Sequence, residues 1–133
     1  MIAATELRLV LVTPETTLLD QSVRSIKLPL FDGSMGVLPG RAPVVGRLGR
    51  GELVFETSEG SKSYFIDGGF IQIKGSIVTL LTNKAVSSAD IDPTAAERAL
   101  ETAKSMPVTT DEQYAAKTAA DETARRMLRM KRS

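Results

Sequence analysis

The chain contains no cysteine, no histidine and no tryptophan. Without cysteine there is no disulfide, no thiolate metal ligand and no cysteine nucleophile. Without histidine the chain lacks the usual general base near neutral pH, the commonest zinc ligand and the partner of a serine nucleophile. Asp20, Asp32, Asp67 and Asp90 each stand beside turn-forming residues, where aspartate is common for structural reasons. The composition therefore points away from catalysis, and no catalytic or metal-binding residue is assigned. Two Tyr and four Phe give little material for the aromatic platforms of a stand-alone β-sandwich that binds a carbohydrate or another small ligand, the alternative from a different functional class. The net charge of +1 exerts no general pull on nucleic acid, and none is expected as a partner. Apolar stretches such as Leu9 to Val12 are far too short to cross a bilayer, and residues 1–12 lack the pattern of an export signal.

What is present is an ordinary globular composition, 42% hydrophobic and 25% charged over 133 residues, enough for one domain or a core domain with an appendage. From Glu6 to about Val86 the apolar residues recur with period two. Leu7, Leu9 and Leu11 share a face, as do Ile26, Leu28 and Leu30. Pro29 cannot donate a ladder bond, which places that strand at an edge or ends it there. "ELVFETSEGSKSYFID" reads as a hairpin turning at Ser58-Glu59-Gly60-Ser61, and "GFIQIKGSIVTLL" as one turning at Gly75-Ser76. Many short strands without an intervening helix imply an antiparallel sandwich or flattened barrel.

After Val86 the composition shifts to alanine and charge, with no glycine beyond Gly75 and no proline beyond Pro107. Asp92-Pro93 reads as a helix cap and first residue, for a helix running to about Ser105. Thr110 to Gln113 form a capping box for a second helix reaching about Lys131. The short link makes an antiparallel hairpin. Its predicted faces are weak: Ala96, Ala99, Leu100 and Ala103 on the first helix, and Ala116, Ala120, Ala124, Met127 and Leu128 on the second.

Between the strands lies "GVLPGRAP", residues 36–43. Gly36 and Gly40 can take positive φ, while Pro39 and Pro43 fix their own φ and hold Leu38 and Ala42 extended. This stiff loop is either a corner between strands or a docking loop that presents Leu38, Arg41 and Ala42 to a partner.

"VTPE" at 12–15, "GVLPGRAP" at 36–43, "DGGF" at 67–70, "VTLL" at 78–81 and "ID" at 91–92 occur in the order and near the spacing found in the epsilon subunits of rotary F-type ATP synthases, which the chain resembles over nearly its whole length. The resemblance implies a β-sandwich rotor-coupling domain at 1–87 and a regulatory helical hairpin at 88–133. It implies a central-stalk subunit present once per complex, peripheral to the membrane on the cytoplasmic face of a plasma membrane or the stromal face of a thylakoid. Its partners would be the gamma subunit, the c subunits of the membrane ring, and the catalytic beta and alpha subunits. Contacts to shaft and ring would fall on Asp32, Gly33, Ser34, Gly36, Leu38, Pro39, Gly40, Arg41 and Ala42, although many relatives have His at the position of Arg41 and an acid at that of Ser34. The hairpin would inhibit ATP hydrolysis, with Arg125, Arg126 and Arg129 meeting the beta subunit.

Some bacterial members bind ATP on the hairpin. Ile91, Asp92 and Ala96 match their motif, but Ala95 stands where it has an arginine and Val86 where it has a glutamate. Arg98 lies one turn later, and Asp92 has a competing role as helix cap. No cofactor is implied, and tight binding of regulatory ATP is not expected.

Overall fold

A computed structural model describes residues 6–40 and 43–132. The period-two region forms β1 (Leu7–Val12), β2 (Thr17–Val23), β3 (Ser25–Leu30), β4 (Gly33–Val37), β5 (Val44–Thr57), β6 (Gly60–Lys74), β7 (Ile77–Leu81) and β8 (Ala85–Ser87). Among the described residues these eight strands pair in the order β2-β1-β7-β6-β5-β3-β4, with β8 on β6. Along that path the pairings are antiparallel except that β1 and β7 run parallel, from Arg8↔Ile77 to Val12↔Leu81. The Gly75-Ser76 hairpin sets the direction of β7 and the pairing with β2 sets that of β1, so closing this layer leaves the two parallel.

One ribbon serves both layers of the sandwich. β5 and β6 are 14 and 15 residues long and stay in register from Val44↔Ile73 to Thr57↔Gly60. Residues 70–74 of β6 lie beside β7, while residues 54–56 of β5 lie beside β3. The ribbon bends between these parts, where Gly49 lies across from Gly68. A Cβ on Gly49 would stand 2.5 Å from the carbonyl oxygen of Leu30, and one on Gly69, at φ +118°, would enter the carbonyl of Leu81. Only glycine permits both approaches. Arg50 Nε donates to Asp67 Oδ1 at 2.6 Å across the same bend.

The core fills the space between the layers. Leu7, Leu9, Leu11, Ile71, Ile73, Val78 and Leu80 come from one side, and Ile26, Leu28, Val37, Leu53, Phe55 and Ile66 from the other. Every member, including the half-buried Leu19, Tyr64 and Ala85 packed against it, lies between Leu7 and Ala85. Full burial of each large aliphatic contributes about 1.5–3 kcal/mol, so this core is the main source of stability in the unit.

Pro29 neither ends its strand nor lies at an edge. β3 runs through it to Leu30 and sits between β4 and β5. Its missing donor is accommodated because the register jumps from Lys27↔Val54 to Leu30↔Leu48, so residues 49–53 of β5 leave the ladder opposite it. The first hairpin is tighter than its sequence implied. Thr57 pairs with Gly60, and Thr57 Oγ1 accepts the Glu59 N–H at 3.1 Å and donates to the Gly60 carbonyl at 3.0 Å. The second hairpin turns at Gly75-Ser76, as the sequence indicates.

The chain divides into two compact units between Val86 and Ser87. The second begins with a single 3₁₀ turn, Ser88–Asp90, followed by α1 (Pro93–Lys104) and α2 (Asp111–Arg132). Asp92 Oδ1 accepts the Thr94 N–H at 2.9 Å and Pro93 opens the helix, as its sequence predicts. Thr110 Oγ1 accepts the Gln113 N–H at 3.1 Å, while Gln113 Oε1 reaches past Thr110 to the Thr109 N–H at 2.8 Å. Ala96, Ala103, Ala124, Leu128 and Met130 are buried, with Leu100, Ala120 and Met127 half-buried. Ala99 and Ala116 are exposed, contrary to the predicted faces. Ala99 lies about 60° around the helix from Ala96, at the margin of the stripe formed by Ala96, Leu100 and Ala103. Ala116 lies level with the end of α1, whose Lys104 carbonyl accepts from Lys117 Nζ at 3.1 Å, so no facing turn covers it.

Candidate functional site: a stiff loop beside an exposed apolar sheet face

The predicted contact residues on β4 and in the turn before it occupy one edge of the sandwich. Asp32 lies in the turn after β3, and Gly33, Ser34 and Gly36 are exposed on β4, the last strand of the sheet. Gly36 belongs to that strand and not to the loop. It pairs with Lys27 and does not have positive φ, because the β3 ladder extends one residue further than the glycine-proline pattern implied. Gly40 does take positive φ, +88°, with open space around it. Leu38 is 64% exposed, an unusual state for a leucine in a loop that Pro39 stiffens. Arg41 and Ala42 lie outside the described residues.

The loop feeds into a sheet face that the sequence reading missed. Along β5, Val44, Gly46 and Leu48 turn inward, so Val45 and Arg47 turn outward. On this face Phe31 is 69% exposed, Val45 79%, Phe70 59% and Leu81 50%. Register joins them: Arg47 is opposite Phe70, and Phe70 is opposite Leu81. The Phe31 N–H donates to the Arg47 carbonyl at 2.9 Å, and the Arg47 guanidinium lies 4.7 Å from the centre of the Phe31 ring. A contiguous row therefore crosses the face, from Phe31 through Arg47 and Phe70 to Leu81. At its end a cavity of about 280 Å³ is lined by Val12, Thr13, Pro14, Gly69, Phe70, Leu81, Thr82 and Asn83. Residues from "VTPE", "DGGF" and "VTLL" meet there. Thr82 is buried with its hydroxyl donating to the Lys84 carbonyl at 3.2 Å and its N–H to Val12 at 3.0 Å, which fixes the cavity wall. Such a surface binds by shape and water exclusion. The available signal was the dipeptides Val44-Val45, Phe70-Ile71 and Leu80-Leu81, each apolar on both faces, but Leu53-Val54 and Phe65-Ile66 read the same way and left the face unmarked.

The remaining candidates lie in the helical unit. Arg125 Nε donates to Asp121 at 2.7 Å and Arg126 Nε to Glu122 at 3.0 Å, both along their own helix. Arg129, with Arg125, lies on the exposed side of α2. Asp92 is committed to its cap. Arg98 lines an open cavity of about 660 Å³ with Thr94, Glu97, Leu100, Glu101, Thr102 and Leu128. The structure thus places Asp92 and Arg98 on one helix but surrounds Arg98 with two carboxylates, a poor setting for phosphate. On the β unit, two hydrogen bonds from Arg8, each 2.7 Å, draw the exposed Asp20 carboxyl below its ordinary range. Among the described residues no group of three His, Cys, Asp or Glu is placed to hold a metal ion, and no helix is long and apolar enough to cross a membrane.

Comparison with known proteins gives this surface a family. The ATP synthase delta/epsilon chain β-sandwich domain matches residues 6–88. The ATP synthase epsilon chain of Rhodopirellula baltica is 44% identical over 126 residues, covering 95% of this chain and 98% of that one. The sodium ion specific epsilon chain of Propionigenium modestum is 33% identical over 97 residues, 73% of this chain and 71% of that one. Among solved structures, a chain in the Euglena gracilis mitochondrial ATP synthase assembly of OSCP, F1 and c-ring superposes with a TM-score of 0.86 at 26% identity, over 96% of this chain and 82% of that one. A chain in the central stalk and c-ring structure of the Tetrahymena thermophila mitochondrial ATP synthase shares the fold, with a TM-score of 0.73 at 12% identity over 98% of this chain and 99% of that one. With the sandwich matched as a domain and the Rhodopirellula alignment continuing into the helices, the chain belongs to the delta/epsilon family of ATP synthase subunits, as an epsilon chain.

Proposed function

We propose that this epsilon chain is a non-catalytic rotor subunit of an F-type ATP synthase, seated through its β unit on the gamma shaft and the c ring, and that its hairpin restrains ATP hydrolysis. The observation that carries the reading is the exposed row Phe31, Arg47, Phe70 and Leu81, with Val45 and the Leu38 loop beside it. A contiguous apolar face of this kind on a folded domain marks a protein-binding surface. Arg47, Phe70 and Leu81 stand on paired strands, Phe31 is tied to Arg47 by a backbone hydrogen bond, and the loop is stiffened by Pro39, so little ordering entropy is lost on docking and the block can pass torque without shearing. The assembly would contain one copy, and the membrane would be reached only through the complex, on the cytoplasmic or stromal face.

The regulatory half rests on the hairpin as a separate compact unit with basic residues toward its end. Arg125 and Arg126 hold half-buried partners on their own helix, i,i+4 pairs worth about 0.3–0.5 kcal/mol each, so exchanging them for carboxylates on the beta subunit costs little. Regulatory ATP is not part of the reading, since Ala95 and Val86 replace two charged positions of the motif and Glu97 and Glu101 flank Arg98.

The test is titration of the full chain, and of Val45→Asp and Phe70→Asp variants, into purified gamma bound to the catalytic subunits. Both positions are exposed, so the variants keep the wild-type melting temperature. Each is expected to bind at least tenfold more weakly. Wild-type affinity in both would remove the face from the docking surface and the reading with it.

A further inference from the structure

The row of exposed side chains contains one charge, and it lies at the centre. We infer that Arg47 is the polar anchor of this face, and that the docked subunit meets it with a single carboxylate set among aliphatic side chains. The inference rests on the docking role proposed above and adds the chemistry of the partner.

Arg47 is held for such a contact. Its guanidinium carbon lies over the Phe31 ring, 4.7 Å from its centre, its strand neighbour across the ladder is Phe70, and its carbonyl is tied to the Phe31 N–H at 2.9 Å. A guanidinium held over a ring by its charge uses none of its N–H donors there, so they are available to bind a carboxylate in bidentate fashion. The same ordering reduces the side-chain entropy lost when a partner arrives.

The charge also lacks an acid of its own. Arg8 and Arg50, on the same sheet, each hold an aspartate, at 2.7 and 2.6 Å. Among the described residues Arg47 pairs with no carboxylate. Docking a partner over Val45, Phe70 and Leu81 would take this cation out of water. A buried unpaired charge is strongly unfavourable, so an apolar partner without an acid would be rejected and one with an acid at that point selected. Water exclusion by the surrounding ring then makes the contact worth more than an exposed pair. A nucleic acid or an anionic bilayer calls for a cluster of cations, and the row has one.

The experiment uses the full chain with Arg47→Lys, Arg47→Gln or Arg47→Glu, titrated into purified gamma bound to the catalytic subunits at 50 and 500 mM salt, with Val45→Asp alongside. The expected order of affinity is wild type, Lys, Gln, Glu, with at least a tenfold loss for Gln and a hundredfold loss for Glu. The wild type should weaken with salt more than Arg47→Gln does. Neutralising one gamma carboxylate should weaken the wild type but leave Arg47→Gln unaffected. Wild-type affinity for Arg47→Gln, with binding still lost in Val45→Asp, would overturn the anchor while leaving the docking face. Equal losses for Gln and Glu without salt dependence would reduce Arg47 to an apolar packing element and overturn the carboxylate. Binding of the wild type, but not of Arg47→Glu, to phosphatidylglycerol vesicles with no effect on gamma binding would assign the residue to lipid and overturn the inference. Unaltered gamma binding by all variants, Val45→Asp included, would instead remove the docking face itself.

Discussion

Replacing Gly69 by alanine adds one methyl group at φ +118° and directs it into the Leu81 carbonyl. The dihedral strain of a non-glycine residue there is about 1–3 kcal/mol. The carbonyl cannot yield freely, because Leu81 is paired with Phe70 and the next residue, Thr82, donates its N–H to Val12 at 3.0 Å. Loosening one or two such bonds costs about 0.5–1.5 kcal/mol each. Reduced freedom of the unfolded chain returns about 0.4–1 kcal/mol. The net expectation is a loss of about 3 kcal/mol. Gly75→Ala is the control: its φ is +61°, and no atom lies within 4 Å of the added methyl. Its loss should be near 1 kcal/mol, the left-handed penalty less the same entropic return. The difference between the two isolates the collision at the ribbon bend. Urea denaturation of the full chain measures both, with near-UV circular dichroism reporting on the sandwich through Tyr64, whose ring stacks on Phe55 at 6.1 Å. If the two variants agree within about 0.5 kcal/mol, the close approach at Gly69 is not what the bend requires, and the account of "DGGF" is wrong.

An NMR titration of Asp20 should give a midpoint below the ordinary carboxylate range, which Arg8→Gln should raise. Because the folded-state value is the lower one, the pair's contribution is present above about pH 4 and is lost as pH falls through the folded midpoint; an unshifted Asp20 would contradict the geometry. Calorimetric titration of ATP into the chain should show no binding at micromolar concentrations, and a clear isotherm there would mean that Arg98 or the tail arginines form a site after all. Removing residues 88–133 should leave a folded β unit, whose core closes between Leu7 and Ala85, and should raise ATP hydrolysis by the reconstituted catalytic complex. Glu at positions 125, 126 and 129 together should raise it as well, and added salt in part; equal rates for all forms would end the regulatory half of the reading.

The elements legible in the sequence were those with strong local chemistry. Asp92-Pro93, Thr110 with Gln113, and Gly75-Ser76 each specify a cap or turn through two or three adjacent residues, and each formed where predicted. β2 and β8 were not singled out, since "TLLDQSV" alternates weakly and "AVS" is too short to show a period. Pro29 misled because its tolerance depends on what β5 does twenty residues later, at Gly49. The stiff loop was visible through its prolines. The apolar face was not, because Arg47, Phe70 and Leu81 lie on three different strands and become neighbours only through register, and Phe31 joins them from the turn after β3. Reading each strand alone, an outward Phe70 is a lone exception; in the sheet it is the middle of a row.

Side-chain labelling of the assembled complex tests the central claim most directly. The free chain and the ATP synthase containing it are exposed to hydroxyl radicals, and the oxidation of Phe31, Leu38, Phe70 and Leu81 is compared by mass spectrometry. A face that couples the rotor is covered on assembly, so labelling at Phe31, Phe70 and Leu81 should fall severalfold and that at Leu38 with it. Equal labelling of these residues in the free and assembled protein would contradict the account, because a surface open to water in the complete complex carries no torque.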